Sequence, residues 1–198
     1  RWRGGELGRR ERIAGDRKSF DGEALERPRI DDRAGGGRRV WRRELKDGGL
    51  APPFRCATGS GGEVDLGELL GKTIVLYFYP TDDTPGCTTQ AIDFSKASAA
   101  FAEAGAIIIG VSKDSVKKHD KFKAKHEITV TLASDESGAV IEAYGSWVLK
   151  KLYGREYMGI DRSTFLIGPD GRLVEIWHKV KVKGHVDAVL AAVKANAT

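Results

Sequence analysis

Several simple readings fail for want of the residues they need. Two cysteines in 198 residues are too few for a disulfide scaffold. They stand at 56 and 87, far outside the C-x-x-C spacing of a structural metal site or a dithiol redox centre. A reducing compartment is therefore the default expectation. The four histidines, His119, His126, His178 and His185, show no metal-binding spacing, so they read as surface residues and no metal is expected. The longest apolar run, residues 73–79, is strand-sized and well short of the roughly 18 residues that a membrane-spanning helix needs. No apolar core of a secretory signal is present either.

Net charge is also missing from most of the chain. Residues 50–198 carry 18 Lys and Arg against 18 Asp and Glu, whereas residues 1–49 carry 15 against 10. The whole excess of +5 thus lies in the first quarter, which excludes a basic nucleic-acid-binding body. Residues 1–49 are rich in Arg and Gly and lack regular apolar spacing. Such a segment buries too little to offset chain entropy, so a disordered extension is expected. Trp2 and Trp41 could anchor it to the body. Its ten carboxylates argue against a transit peptide. Two readings stay open for it: a tail drawn to RNA or membrane surfaces, or a solvated extension, which the mixed charge favours.

What is present from residue 50 onward is alternation. "TIVLYFY" (73–79) is continuous, β-branched and aromatic, as suits a strand buried on both faces. "AIIIGV" (106–111) is a second such strand, and 129–132 a short third. Helical stretches fall between them at 88–103 and 114–126, the second with Asp114 as a capping residue and Val116 and Phe122 on its apolar face. The segments 163–167 and 173–177 flank "GPDG" as a hairpin, and 185–194 reads as a last helix. A Gly-rich turn and short helix are expected in "GSGGEVDLGELLG". The pattern is that of an α/β domain with a mixed sheet.

The chemistry gathers in "YPTDDTPGCT". In α/β sheets reactive groups collect beyond the carboxyl ends of the strands, and Cys87 lies just after the first strong one. Thr84 suits an N-cap, Pro85 the first helical position, and Gly86 leaves the backbone open. Cys87 then falls in the first turn, where free N–H groups and the helix dipole favour thiolate over thiol. Its polar, Gly- and Pro-containing neighbours are poor core partners, which favours a nucleophile over a structural thiol.

These residues resemble the active-site segment of peroxiredoxins of the bacterioferritin-comigratory, or Q, type. Pro80, Thr84 and Cys87 match the Pro-x-x-x-Thr-x-x-Cys motif. "YMGIDRSTFLIGPDGRLVEIWHKVK" resembles the segment carrying the family's essential arginine, here Arg162. "APPF" (51–54) and "LLGKTIVLYFYP" match the opening and the first core strand, so the resemblance spans residues 50–198. It implies a thioredoxin-like fold, with a central mixed β-sheet flanked by helices. It also implies reduction of hydrogen peroxide and organic hydroperoxides through a sulfenic acid, recycled by thioredoxin or another thiol. No cofactor, metal, membrane or nucleic-acid partner is implied. A monomer or weak dimer in the bacterial cytoplasm is the expected setting. Cys87 would attack, Arg162 would stabilise negative charge, and Pro80 would shield the thiolate. The Thr84 hydroxyl and the amides of Gly86 and Cys87 would hold the peroxide. Trp147, in a loop like the family's, is open to two readings: a lining of the peroxide pocket, or ordinary packing.

The resemblance is incomplete in one respect. Family members place a resolving cysteine five residues after the reactive one, or in the next helix; those positions read Ile92 and Lys123 here. Gln90 stands where many relatives carry Glu. Cys56 is the remaining internal thiol, either a resolving partner or, as the sequence favours, a small apolar residue in a strand. Rival functions fare worse. A thioredoxin-type oxidoreductase needs C-x-x-C, and Gln90 occupies the second position. A cysteine hydrolase needs a nearby base that no local residue supplies. A nucleic-acid-binding module acting through the basic tail would leave Pro80, Thr84, Cys87 and Arg162 without a purpose.

Overall fold

The structure is a computed structural model that describes residues 45–197, so the expectation of disorder for the tail lies outside the described residues up to position 44. Leu45 packs on the core, and Gly48 and Gly49 exchange backbone hydrogen bonds with Leu173. The folded body therefore takes in residues 45–49 as well as those from 50 onward.

The apolar runs form strands where expected. β3 (Thr73–Phe78) and β4 (Ala106–Ser112) lie side by side and parallel, and β5 (Thr131–Ser134) extends them. β8 (Ser163–Ile167) joins the other side of β3 antiparallel and turns back into β9 (Leu173–Trp177). β1 (Arg55–Thr58) and β2 (Glu63–Asp65) complete the far edge. The resulting seven-stranded mixed sheet has the order β2-β1-β5-β4-β3-β8-β9. Five of the six β3 residues are fully buried, because the sheet is covered on both faces.

The alternation of side chains along β3 sorts the core into two layers. Val75, Tyr77 and Tyr79 face α2 (Pro85–Glu103), α5 (His185–Asn196) and Phe122 of α3 (Val116–His126). Ile74, Leu76 and Phe78 face the opposite layer, with Ala51, Phe54, Cys56, Leu66 of the short α1 (Leu66–Leu69) and Ile141 of α4 (Ala139–Ala143). Gly110 on β4 leaves room for the Tyr77 ring, since a Cβ there would run into the ring's Cζ and hydroxyl. This is why a glycine interrupts "AIIIGV".

Four features differ from the sequence reading. The segment around Trp147 is not a loop: β6 (Trp147–Leu152) and β7 (Arg155–Ile160) pair as a separate two-stranded hairpin. β2, too short to show a period, follows the Gly-rich turn. Asp114 does not cap α3, whose N-cap is Ser115. Its carboxylate instead accepts from the backbone of Asp82 at 2.7 Å and from Ser112 at 3.0 Å. Finally, His119 and His185 are not on the surface; they are 1% and 7% exposed. His119 sits three residues from both Val116 and Phe122, so it shares their inward stripe. That spacing was the available signal.

Candidate active site

The end of β3 and the start of α2 meet at Cys87. Thr84 is the N-cap, in extended conformation, and Pro85 occupies the first helical position. The Thr84 hydroxyl does not cap the helix. It donates to the Thr81 carbonyl at 3.1 Å, which leaves the amides of Gly86 and Cys87 without a capping side chain. Those amides are among the orphan donors that begin every helix. They lie, with the positive end of the α2 dipole, in the same first turn as Cys87.

Cys87 is 2% exposed and belongs to the α2–α5 core layer. Arg162, which follows β7 and precedes β8, reaches it from the strand beside β3. Its Nη2 donates to Cys87 Sγ at 3.2 Å, while Nη1 donates to the Oε1 of Gln90. The Gln90 side chain is wholly buried and its Nε2 has no partner among the described residues. Gln90 is one helical turn from Cys87, so both side chains lie on the face that meets the guanidinium. Sequence reasoning noted Gln90 as a departure and missed its role as the holder of Arg162. Gly86 contributes by its size, since a Cβ there would stand 3.2 Å from Nη2.

A cation against the sulfur stabilises negative charge on it, and the fork of a guanidinium fixes that cation in place. Behind Arg162 lies His185, whose Nε2 is 2.8 Å from the Thr164 hydroxyl. Burial first, and then the Arg162 charge, push its pKa down to about 4. The hydroxyl of Tyr77, buried and without a partner among the described residues, is held far above its usual range by burial, with smaller contributions from Asp82 and Cys87.

The approach to the site is tied down by side chains of α3. Tyr79 donates to Asp82 Oδ1 at 2.8 Å, and His119 Nδ1 lies 2.8 Å from Oδ2. Thr81 donates to Asp114 at 3.1 Å and accepts from Lys118 at 2.8 Å. Pro80, half-buried, stands at the start of this loop.

The other sequence candidates fall elsewhere. Trp147 pairs with Ile160 across the hairpin and packs on the core layer opposite Cys87, with Lys113 Nζ 5.1 Å from its ring centroid. Packing is thus the role its contacts describe. Cys56 is free, as is Cys87. It is buried in that same opposite layer, and burial followed by the charge of Asp135 pushes its thiol up to about 12. Its strand β1 is separated from β3 by β5 and β4, a span of roughly 14 Å at about 4.8 Å per strand spacing. Disulfide geometry requires Cα atoms within about 7 Å. Among the described residues no cluster of His, Cys, Asp and Glu could hold a metal ion.

The AhpC/TSA family model matches residues 48–176. Peroxiredoxin Bcp of Bacillus subtilis is 52% identical over 150 residues, covering 76% of this chain and 96% of the relative. Peroxiredoxin Bcp of Xanthomonas campestris is 50% identical over 139 residues, covering 70% and 87%. A solved structure of Xanthomonas campestris peroxiredoxin Q superposes with a TM-score of 0.71 at 44% identity, covering 78% of this chain and 98% of that one. Another structure of the Xanthomonas campestris bacterioferritin comigratory protein, with the same TM-score of 0.71, was described for its alkyl peroxide reduction activity.

Proposed function

The chain belongs to the AhpC/TSA family and is a peroxiredoxin of the Bcp, or Q, type; from that premise we propose that Cys87 is its peroxidatic nucleophile and that an external thiol resolves it. The observation that carries the assignment is the 3.2 Å contact of Arg162 Nη2 with Cys87 Sγ at the N-terminus of α2.

The Cys87 thiolate attacks the terminal oxygen of a peroxide. An S–O bond forms as the O–O bond breaks, and the departing oxygen takes a proton and leaves as water or an alcohol. Arg162 stabilises the charge as it moves from sulfur to oxygen. The Thr84 hydroxyl accepts from the peroxide O–H, since its own proton is committed to Thr81. The amides of Gly86 and Cys87 donate to the oxygens, and Pro80 screens the sulfur. The alkyl peroxide reduction activity of the Xanthomonas relative favours organic hydroperoxides as substrates, and the same chemistry at Cys87 extends to hydrogen peroxide.

The sulfenic acid then condenses with an incoming thiol, releasing water and leaving a mixed disulfide. A second thiol displaces Cys87 from it. Ile92 and Lys123 carry no sulfur, and Cys56 lies in the opposite core layer, which leaves thioredoxin or a comparable thiol as the reductant. Two free thiols suit the cytoplasm.

Mass spectrometry after one equivalent of peroxide tests this. The expected product is a sulfenic acid or a mixed disulfide at Cys87, with Cys87→Ser inert and Cys56→Ser unchanged in its first turnover. An intramolecular Cys56–Cys87 disulfide, or an active Cys87→Ser, would overturn it.

A further inference from the structure

We propose that His119 is a positioning residue for peroxide reduction, acting through Asp82 on the turn that orients the Thr84 hydroxyl. The inference rests on the assignment of Thr84 and Cys87 just given.

Residues 79–84 connect β3 to α2, and side chains rather than a backbone ladder hold most of their shape. Asp83 adopts φ +63°, a left-handed turn conformation that Asp tolerates better than most residues. The side chain of Asp82 is fully buried, and a buried carboxylate needs both oxygens satisfied. Tyr79 serves Oδ1 and His119 serves Oδ2, at 2.8 Å each. His119 Nδ1 also lies 3.3 Å from the Tyr79 oxygen, so the three groups form one unit. A carboxylate only accepts, so Nδ1 carries the proton in this pair.

The link to Thr84 is a single peptide unit. The amide of Asp82 is pinned by Asp114 Oδ2 at 2.7 Å. The carbonyl of that same peptide, belonging to Thr81, accepts the Thr84 hydroxyl at 3.1 Å. A peptide is planar, so a backbone shift at Asp82 that brings an unpaired Oδ2 towards water also turns the carbonyl that aims the hydroxyl. His119 is thereby coupled to the peroxide oxygen without touching it. The sulfur has its own partner, Arg162, which precedes the strand beside β3. The imidazole, buried on the inward stripe of α3, therefore has a use beyond filling space.

The experiment compares two reactions of Cys87. Consumption of hydrogen peroxide needs the Thr84 hydroxyl, whereas alkylation by iodoacetamide reads thiolate reactivity and access alone. His119→Phe is expected to lower the second-order rate constant with peroxide roughly ten- to a hundredfold, the cost of a misplaced contact remote from the chemistry. Its alkylation rate should change by less than about twofold. His119→Asn, whose amide nitrogen reaches the place of Nδ1, should recover most of the peroxide rate. In a Thr84→Val background His119→Phe should have no further effect, because both changes remove the same contact. If the phenylalanine variant does not fold, Asp82→Asn carries the same prediction. Thr84→Val retaining the full peroxide rate would sink the assignment of the site itself. An effective Thr84→Val beside a silent His119→Phe, multiplicative effects in the double variant, or equal losses in both reactions would sink the role of His119 alone.

Discussion

Arg162 divides its guanidinium between the sulfur of Cys87 and the side chain of Gln90. Gln90 takes one donor without cancelling the charge, so the whole cation remains for the sulfur. A neutral acceptor suffices because its task is directional: it stops the guanidinium rotating away from Sγ. Gln90→Met keeps the volume and removes that acceptor. Losing one hydrogen bond to a charged group is worth about 1.5–3 kcal/mol, so peroxide turnover should fall on the order of tenfold or more. The same substitution removes a buried Nε2 that has no partner among the described residues. That removal offsets part of the stability lost with the hydrogen bond, and a large loss of stability beside unchanged kinetics would contradict the assignment. Arg162→Lys tests the fork itself. An ammonium is a point charge on a flexible stem and cannot hold Gln90 and Cys87 together. Stopped-flow rates should fall by roughly 10²-fold or more, the usual loss when a preorganised donor to developing charge is removed. Cys56 needs no such chemistry. Its thiol, pushed up to about 12 by burial and Asp135, should resist alkylation in the native protein at pH 8, with Cys87 the only site labelled.

Strand β4 shows how an element makes room for the site. Gly110 faces Tyr77, and a Cβ there would also stand 2.9 Å from Leu132. Gly110→Ala forces the Tyr77 ring to shift beneath Cys87, and overpacking of this kind costs about 1–3 kcal/mol. Urea unfolding should register that loss, and an alanine variant as stable as the parent would show that the ring moves freely. The glycine was legible in "AIIIGV" as a break in a β-branched run, although its partner was not. The same holds more widely among the elements. β3, β4, β8, β9, α2 and α5 followed from continuous apolar runs, turn residues and a helix-start sequence, because local chemistry suffices there. β1 was expected as the short strand around Cys56, whereas β2 is short and at the edge, and β6 and β7 mix Lys150, Lys151 and Glu156 with exposed Leu149, Tyr157 and Met158, so no period marks them. Asp114 illustrates a different limit. It has the chemistry of a helix cap, but tertiary partners at the β3–α2 loop outbid that local use.

The sheet divides the molecule into two layers, and that division separates the two thiols. Cys87 lies with α2 and α5, Cys56 with α1 and α4, and no spacing in the sequence could say so. Cys87, Thr84 and Pro80 were legible because a helix start is written in consecutive residues. Arg162, 75 positions away from Cys87, was placed by resemblance alone, and the buried histidines were missed because burial depends on what packs from other elements. His185 links this architecture to pH. It begins α5, presses edge-on against Phe94 and Trp177, and has its pKa lowered to about 4 by burial and by Arg162. An unfolded histidine titrates near 6.5. Between those values the unfolded chain binds a proton that the folded one does not, so stability rises with pH across that window. The contribution of His185 is complete above about pH 6.5 and is lost progressively as the pH falls towards 4, below which both states are protonated. Denaturation monitored between pH 7.5 and 4 should show this decline, and His185→Asn, which keeps a polar group near Thr164 without a titrating ring, should flatten it. A variant with the same slope as the parent would assign the decline to other groups and separate His185 from the acid stability of the fold.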